Sequence, residues 1–323
     1  MKIGIIPSDN GLGHIRRMTL LSNFLSHKFD VTILINKKKN LFKQSKKVKT
    51  INIKEILNLK SNNYRLSDKI KIKKLCKNFD LIIIDNFPDL LKLSKKIIIF
   101  SNFFWHKELN LKNKKFKKIE YELRQKKIQI FGNYLFQKNY FKRFNNLNIP
   151  FFGSYKKRPK KDSILISIGT AKYGETDKIK KTLLFHINKG DFKDLKIYLD
   201  PIFYDENFKK TNIIKADFTN TMYDKIRFAL IKPGLGTVEE CLMRGIPIVA
   251  YTKNTFSEFK YNSKIIKKYK LGYSFNTINE SISFIIKNFN NKILLSKHDE
   301  KCKKLKWNGE KKIKDYLKIN KYI

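Results

Sequence analysis

Residues 229–250 read ALIKPGLGTVEECLMRGIPIVA, and the order of residue types along them decides the fold. A short apolar strand at 229–231 meets the turn Pro233-Gly234-Leu235-Gly236. A helix is expected over 237–244, then a stop at Gly245 and a second apolar strand over 246–250. That is half of a βαβ unit, the building block of a parallel sheet. Gly234 and Gly236 let the backbone come close to a ligand, and Thr237 is placed to cap a helix whose free N–H groups and dipole favour an anion. Gly245 suits a left-handed helix cap, and Pro247 cannot continue a helix. A plain strand-to-helix connection would show the same features. The pair Glu239 and Glu240 adds carboxylates beside that anion, although acid in a first helical turn also stabilises the helix by about 0.3–1 kcal/mol with no ligand present.

The same pattern opens the chain. An apolar strand at 2–7 leads into Ser8-Asp9-Asn10-Gly11-Leu12-Gly13-His14, and Ile15, Met18, Leu21 and Leu25 then recur at helical spacing. His14 sits at the positive end of that helix, which disfavours its protonation and keeps it usable as a base, although by residue type alone a capping or merely exposed histidine is the better explanation. Further strands are expected at 31–35, 48–53, 80–85, 97–100, 128–131 and 149–152, with helices over 66–78 and 112–127. Asp85 ends a continuous apolar run at the carboxyl edge, where α/β proteins bind ligands. The 97–100 run delivers Ser101-Asn102-Phe103-Phe104-Trp105 to the same edge, where aromatic packing under a loop is as good an explanation as binding.

Residues 153–162, GSYKKRPKKD, have the composition of a linker. The strand pattern restarts at 163–168 and is followed by a loop containing Gly169 and Thr170. A helix is expected at 176–188, strands at 195–199 and 213–215, and helices at 221–228, from Glu258 to 270, and at 278–289. A last basic helix covers 309–323. The fold expected is α/β: two Rossmann-like, doubly wound parallel-sheet domains, 1–153 and 154–306. Residues 307–323 form a terminal helix.

The 323 residues suffice for two cores, and the net charge of +43 comes from 71 basic against 28 acidic residues. Only eight of the basic residues are arginine, and the lysines are spread over the whole chain. Most of this charge reads as solvated surface, with attraction to an anionic membrane face as the next explanation. Nucleic acid comes last, because no zinc spacing, RNA-binding aromatic motif or helix-turn-helix is visible. Cys76, Cys241 and Cys302 are odd in number and far apart, against a disulfide framework or metal cluster. With no signal-like or membrane-spanning run, a cytoplasmic protein is expected, peripheral at most to the membrane.

Thr237, Glu240, Gly245 and Pro247 match, position for position, a motif that resembles the donor-binding segment of GT-B glycosyltransferases. In that family the turn and helix N-terminus hold a nucleotide diphosphate and the Glu binds the ribose. The resemblance therefore implies that Gly234, Leu235, Gly236, Thr237 and Glu240 bind the donor, with Gly169 and Thr170 approaching its phosphates. The string G-x-G-H-x-x-R, here Gly11, Gly13, His14 and Arg17, is similar to the N-terminal loop of lipid-intermediate N-acetylglucosaminyltransferases and of the nucleotide-sugar hydrolase of the pseudaminic acid pathway. It implies that His14 is a catalytic or acceptor-binding group, with Arg17 steadying the loop or a phosphate. Gly11, Gly13, Asp85 and Asn102 then line the acceptor side. In the cell-wall transferases two glutamines and an Asn contact the donor sugar. Asn262 matches, whereas Glu258 and Phe259 stand at the glutamine positions and leave the sugar open. The resemblance implies domains facing across a cleft that holds a nucleotide-sugar, with the terminal helix returning to the first domain. It implies transfer of a sugar from a nucleoside diphosphate, UDP foremost, to an unknown acceptor, with cell-envelope polysaccharide as the setting and a lipid-linked acceptor as one form. Hydrolysis or 2-epimerisation at the same cleft is the alternative. No metal and no cofactor are expected, since the donor is a substrate and no Asp-x-Asp element is present.

Overall fold

The computed structural model describes residues 1–8, 12–35, 44–52, 57–60, 63–66, 69–86, 90–91, 96–108, 114–156, 162–168, 176–193, 195–204, 208, 212–253, 257–320 and 322. Gly11, Gly169 and Thr170 lie outside the described residues. The chain divides into two units, Met1–Gly153 with Lys306–Ile323, and Ser154–Leu305. Lys306 thus belongs to the first unit, where its carbonyl accepts from Phe151 N at 2.9 Å and its amide donates to Tyr134 Oη at 3.1 Å.

In the first unit the strands are β1 (Lys2–Ile6), β2 (Asp30–Ile35), β3 (Lys49–Asn52), β4 (Leu57–Lys60), β5 (Asn63–Leu66), β6 (Leu81–Asp85), β7 (Ile97–Phe100), β8 (Gln129–Asn133) and β9 (Asn146–Ile149). Helices α1 (Leu12–Leu25), α2 (Lys69–Cys76), α3 (Trp105–Glu108) and α4 (Lys114–Gln125) lie between them. Among the described residues seven strands form a parallel sheet in the order β3-β2-β1-β6-β7-β8-β9, and β4 pairs with β5 as an antiparallel hairpin. The apolar runs KIGII, LIIID and IIIF are buried almost throughout, as strands covered on both faces must be. Strand alternation then sorts them. Ile3, Ile5, Leu81 and Ile83 join Ile15, Met18, Leu21 and Leu25 of α1 in one core, while Ile6, Ile82 and Ile84 join Phe116 and Leu123 of α4 in another. The chain leaves β1 toward β2 and β3 and returns as β6 on the other side of β1. This reversal is where neighbouring connections part and an α/β sheet offers a binding crevice at its carboxyl edge.

The second unit repeats the plan with β10 (Ser163–Ser167), β11 (Lys196–Leu199), β12 (Ile213–Lys215), β13 (Ile226–Ile231), β14 (Ile248–Tyr251) and β15 (Gly272–Phe275). Its helices are α5 (Thr176–Asn188), α6 (Asn220–Lys225), α7 (Leu235–Met243), α8 (Ser257–Lys268), α9 (Ile278–Asn288) and α10 (Lys292–Lys303). The strand order β12-β11-β10-β13-β14-β15 is parallel throughout and reverses between β10 and β13. The helix expected over 221–228 ends early. Ile226 and Phe228 instead pair with Ser163 and Ile164 of β10, where branched and aromatic side chains fill a pleated surface better than a helix face.

Helix α11 (Gly309–Ile319) closes the chain on the first unit. Ile313 and Leu317 enter the core formed by α1, and the Tyr316 ring meets Phe131 edge-on at 5.1 Å. Gly153 N donates to the Glu310 carboxylate at 3.0 Å, fixing the start of this helix beside the end of the first unit's sheet segment. Among the described residues no helix is long and apolar enough to cross a membrane. All three cysteines are buried as thiols outside any disulfide, and burial pushes the Cys76 thiol up to about 12.

Candidate functional site

At the reversal of the first unit, α1 starts just beyond β1 and β6 ends in Asp85. His14, in the first turn of α1 with Gly13 before it, places Nδ1 2.9 Å from Asp85 Oδ2. Arg17 is three residues on and therefore on the same helix face, and its Nη2 lies 3.4 Å from Asp85 Oδ1. The Arg17 guanidinium carbon also stands 4.4 Å from the centre of the Phe100 ring. Asp85 is wholly buried and Arg17 is 4% exposed, while the His14 side chain keeps 16% of its surface. Of the three, His14 is the group that can meet a substrate.

The protonation pattern follows from the partners. Burial acts to raise the Asp85 pKa, but the charges of His14 and Arg17, the hydrogen bond from His14 and the Ser8 amide outweigh it and hold the carboxyl below its ordinary 3.8. An ionised carboxylate only accepts, so Nδ1 is the nitrogen that donates to Asp85, and in the neutral form of the ring the lone pair lies on Nε2. Arg17 Nη2 is 3.3 Å from the same Nδ1, yet both atoms then carry protons, and that contact is a charge beside a dipole and not a hydrogen bond. Arg17 is thereby placed on Asp85 inside the first unit; the sequence alone had suggested the loop or a phosphate.

The second reversal, between β10 and β13, carries the glycine turn. Helix α7 begins at Leu235 with Gly234 as its N-cap, so Thr237 lies inside the first turn and is not the cap the sequence suggests. The first intrahelical bond runs from Val238 N to Gly234 O at 3.0 Å, and helix geometry leaves the amides of Leu235, Gly236 and Thr237 without an intrahelical acceptor. Helix α8 holds this turn in place. Asn262, 3% exposed, donates from Nδ2 to Pro233 O at 2.8 Å, and a Cβ on Gly234 would stand 3.6 Å from the Phe259 ring. Glu258, on the first turn of α8, is buried. At the other end of α7, Gly245 adopts φ +60°, with Gly245 N bonded to Leu242 O and Ile246 N to Cys241 O, the Schellman closure.

Glu240 is buried and its Oε2 accepts from Arg244 Nη1, one turn further along α7. Arg244 is 1% exposed and is itself tied to α6: Nε donates to Asp224 Oδ1 at 2.9 Å and Nη2 to Asn220 Oδ1 at 2.8 Å. Burial acts to lower the Arg244 pKa, and the Glu240 and Asp224 carboxylates more than offset it, so the guanidinium is held above its ordinary value.

The structure brings His14, Arg17 and Asp85 together in one unit, and Gly234, Leu235, Gly236, Thr237, Glu240 and Asn262 around one helix in the other. Asn102 plays a structural part: its Oδ1 accepts from Asn133 N at 2.7 Å, tying the loop after β7 to the end of β8. Phe103 and Phe104 pack into the core, Phe104 with Phe141 at 4.7 Å. Sequence reasoning missed Ser8 and Phe100 beside the His14 group and the Asn220–Asp224–Arg244 set behind Glu240. The spacing of Glu240 and Arg244 is the one advance sign, since residues four apart on a helix are neighbours.

No family model matches the chain, and no curated protein matches it. Solved structures do. The chain is similar to the glycotransferase of kitacinnamycin at 10% identity and a TM-score of 0.59, with 98% of each chain covered. It is similar to Arabidopsis thaliana UGT89C1 complexed with quercetin at 13% identity and 0.62, again covering 98% of each. Phytolacca americana UGT2 complexed with UDP-2fluoro-glucose and pterostilbene gives 12% identity and 0.62 over 93% of this chain and 92% of that one. At such identities the likeness shows the fold, and the fold is that of the GT-B glycosyltransferases.

Proposed function

We propose that the chain is a glycosyltransferase that moves a sugar from a nucleoside diphosphate, UDP foremost, to an acceptor hydroxyl. The observation that carries this reading is the His14–Asp85 pair, in which Nδ1 is committed to a buried carboxylate and Nε2 is left to take a proton. His14 Nε2 accepts the acceptor's hydroxyl proton as the oxygen attacks the anomeric carbon. The bond from that carbon to the diphosphate breaks, and the nucleoside diphosphate leaves with the electron pair. Charge growing on the leaving group is met by the amides of Leu235, Gly236 and Thr237 and the α7 dipole, which makes the reaction metal-independent. Asp85 holds the ring and stabilises the imidazolium that forms. Glu240 takes the ribose hydroxyls.

UDP is supported by the shared fold with a structure whose ligand is UDP-2fluoro-glucose. The likeness of the His14 loop to lipid-intermediate N-acetylglucosaminyltransferases directs the acceptor search to lipid-carried hydroxyls. The charge of +43 would draw the protein to an anionic membrane face, where such acceptors reside. The test is incubation with UDP-sugars, with and without vesicle-borne lipid-linked sugars or polyisoprenyl phosphates bearing a free hydroxyl. Acceptor-dependent release of UDP that disappears in His14→Ala supports the reading. Equal turnover without acceptor, to free sugar or to an epimer, replaces transfer with hydrolysis or epimerisation.

A further inference from the structure

We infer that Arg244 is a positioning residue for ribose recognition: it fixes the Glu240 carboxylate so that one oxygen is set toward the diol of a bound ribonucleotide. The inference rests on the donor-site reading above. Arg244 binds the carboxylate at Oε2, and its Nη1 also lies 3.3 Å from the Glu240 backbone carbonyl, so the guanidinium spans the turn between the two residues. Three further contacts stop it from swinging away. Asp224 takes Nε, Asn220 takes Nη2, and the Tyr223 ring lies under the guanidinium with its centre 5.4 Å from the central carbon. All three come from α6, so Arg244 also locks α6 to α7.

The arrangement matters because Glu is a flexible side chain, and a diol contact needs an acceptor held in one place. A carboxylate free to rotate loses rotamer entropy when it binds, which weakens the contact it makes. A carboxylate with one oxygen already anchored by a rigid, planar fork loses little, and Arg provides that fork where Lys would supply a point charge. A buried ion pair is weak grounds for stability, since apolar side chains often serve as well. A role in recognition gives this buried charge a use that stability alone does not.

The experiment compares affinities for UDP and 2′-deoxy-UDP by calorimetry, with GDP and 2′-deoxy-GDP as a second pair, in the wild-type chain and in Arg244→Met. A hydrogen bond to a charged acceptor predicts that the wild type prefers the ribonucleotide by about tenfold or more. In Arg244→Met that preference should fall to about twofold or less, the same value expected for Glu240→Gln. A merely structural role would weaken both nucleotides by one common factor and leave the preference intact, and that result overturns the inference. Should Arg244→Met fail to fold, Asn220→Ala removes the Nη2 anchor while leaving the bonds of Arg244 to Glu240 and Asp224, and it should reduce the preference in the same direction by about two- to threefold. An unchanged preference there has the same negative meaning. If no nucleotide of either pair binds the wild type, the donor-site reading fails, and this inference with it.

Discussion

The chain solves one problem twice, and the two solutions differ in what they leave open. Each unit places a helix start at the reversal of a parallel sheet, and each seats a buried carboxylate against an arginine carried on that helix: Asp85 with Arg17 in the first unit, Glu240 with Arg244 in the second. In the first unit a histidine with 16% of its side chain exposed meets the wholly buried carboxylate, and Asp85 engages that ring at Nδ1. In the second unit the carboxylate meets an arginine that is tied on its other side to Asp224 and Asn220. A carboxylate behind a histidine suits proton transfer, whereas a carboxylate anchored by a fixed guanidinium suits the recognition of hydroxyls. Under the proposed function, the comparison assigns unlike tasks to two similar folds within one chain.

The largest effect should come from the first unit. His14→Ala is expected to lower turnover by about 10²- to 10⁴-fold while leaving the UDP dissociation constant within about twofold, as measured by steady-state kinetics and calorimetry. A large loss of UDP affinity would erase the division of labour between the units. Asp85→Asn comes next. It leaves Arg17 buried without its carboxylate, a change that costs about 3–5 kcal/mol. The folded pKa of Asp85 is depressed, so its stabilisation is fully present above the unfolded value of 3.8 and is lost as pH falls through the lower folded value. Denaturant unfolding should accordingly show the gap between wild type and Asp85→Asn narrowing below about pH 4. A gap that stays constant into acid would break the account of the dyad.

Two smaller effects sharpen the second unit. Gly245→Ala forces a Cβ into the left-handed region and to within 2.2 Å of Asp299 Oδ1, and should cost at least about 1–2 kcal/mol in thermal unfolding. Asp224→Asn should cost less than about 1 kcal/mol, because Asp224 is 30% exposed and Arg244 keeps its bond to Glu240. Equal losses for Asp224→Asn and Asp85→Asn would remove the contrast drawn above.

Much of this fold was legible in the residue order, for physical reasons that can be named. Strands such as LIIID and IIIF are buried on both faces, so they appear as unbroken apolar runs, and Gly245 and Pro247 mark a helix end by backbone chemistry that few other residues satisfy. What escaped was whatever depends on contacts distant in sequence. The start of β13 at Ile226 is decided by pairing with β10, and the β4–β5 hairpin and α10 lie in polar, basic stretches with little periodic signal. His14 and Asp85 each stood out alone, one for its helix start and one for its strand end, but nothing local joins residues 71 positions apart. Arg17 was read toward the loop or a phosphate, and the residue order carried no sign of its place on that carboxylate and the Phe100 ring. Glu240 was read from a family motif, which carries no information about the Arg244 beside it.

The central claim is that the start of α7 grips a nucleotide diphosphate while Glu240 takes its ribose. A crystal structure with UDP bound tests it most directly. The account predicts phosphate oxygens about 3 Å from the amides of Gly236 and Thr237, with Glu240 still paired to Arg244 and accepting from the ribose hydroxyls. A diphosphate seated away from α7, or a ribose that does not touch Glu240, would contradict it.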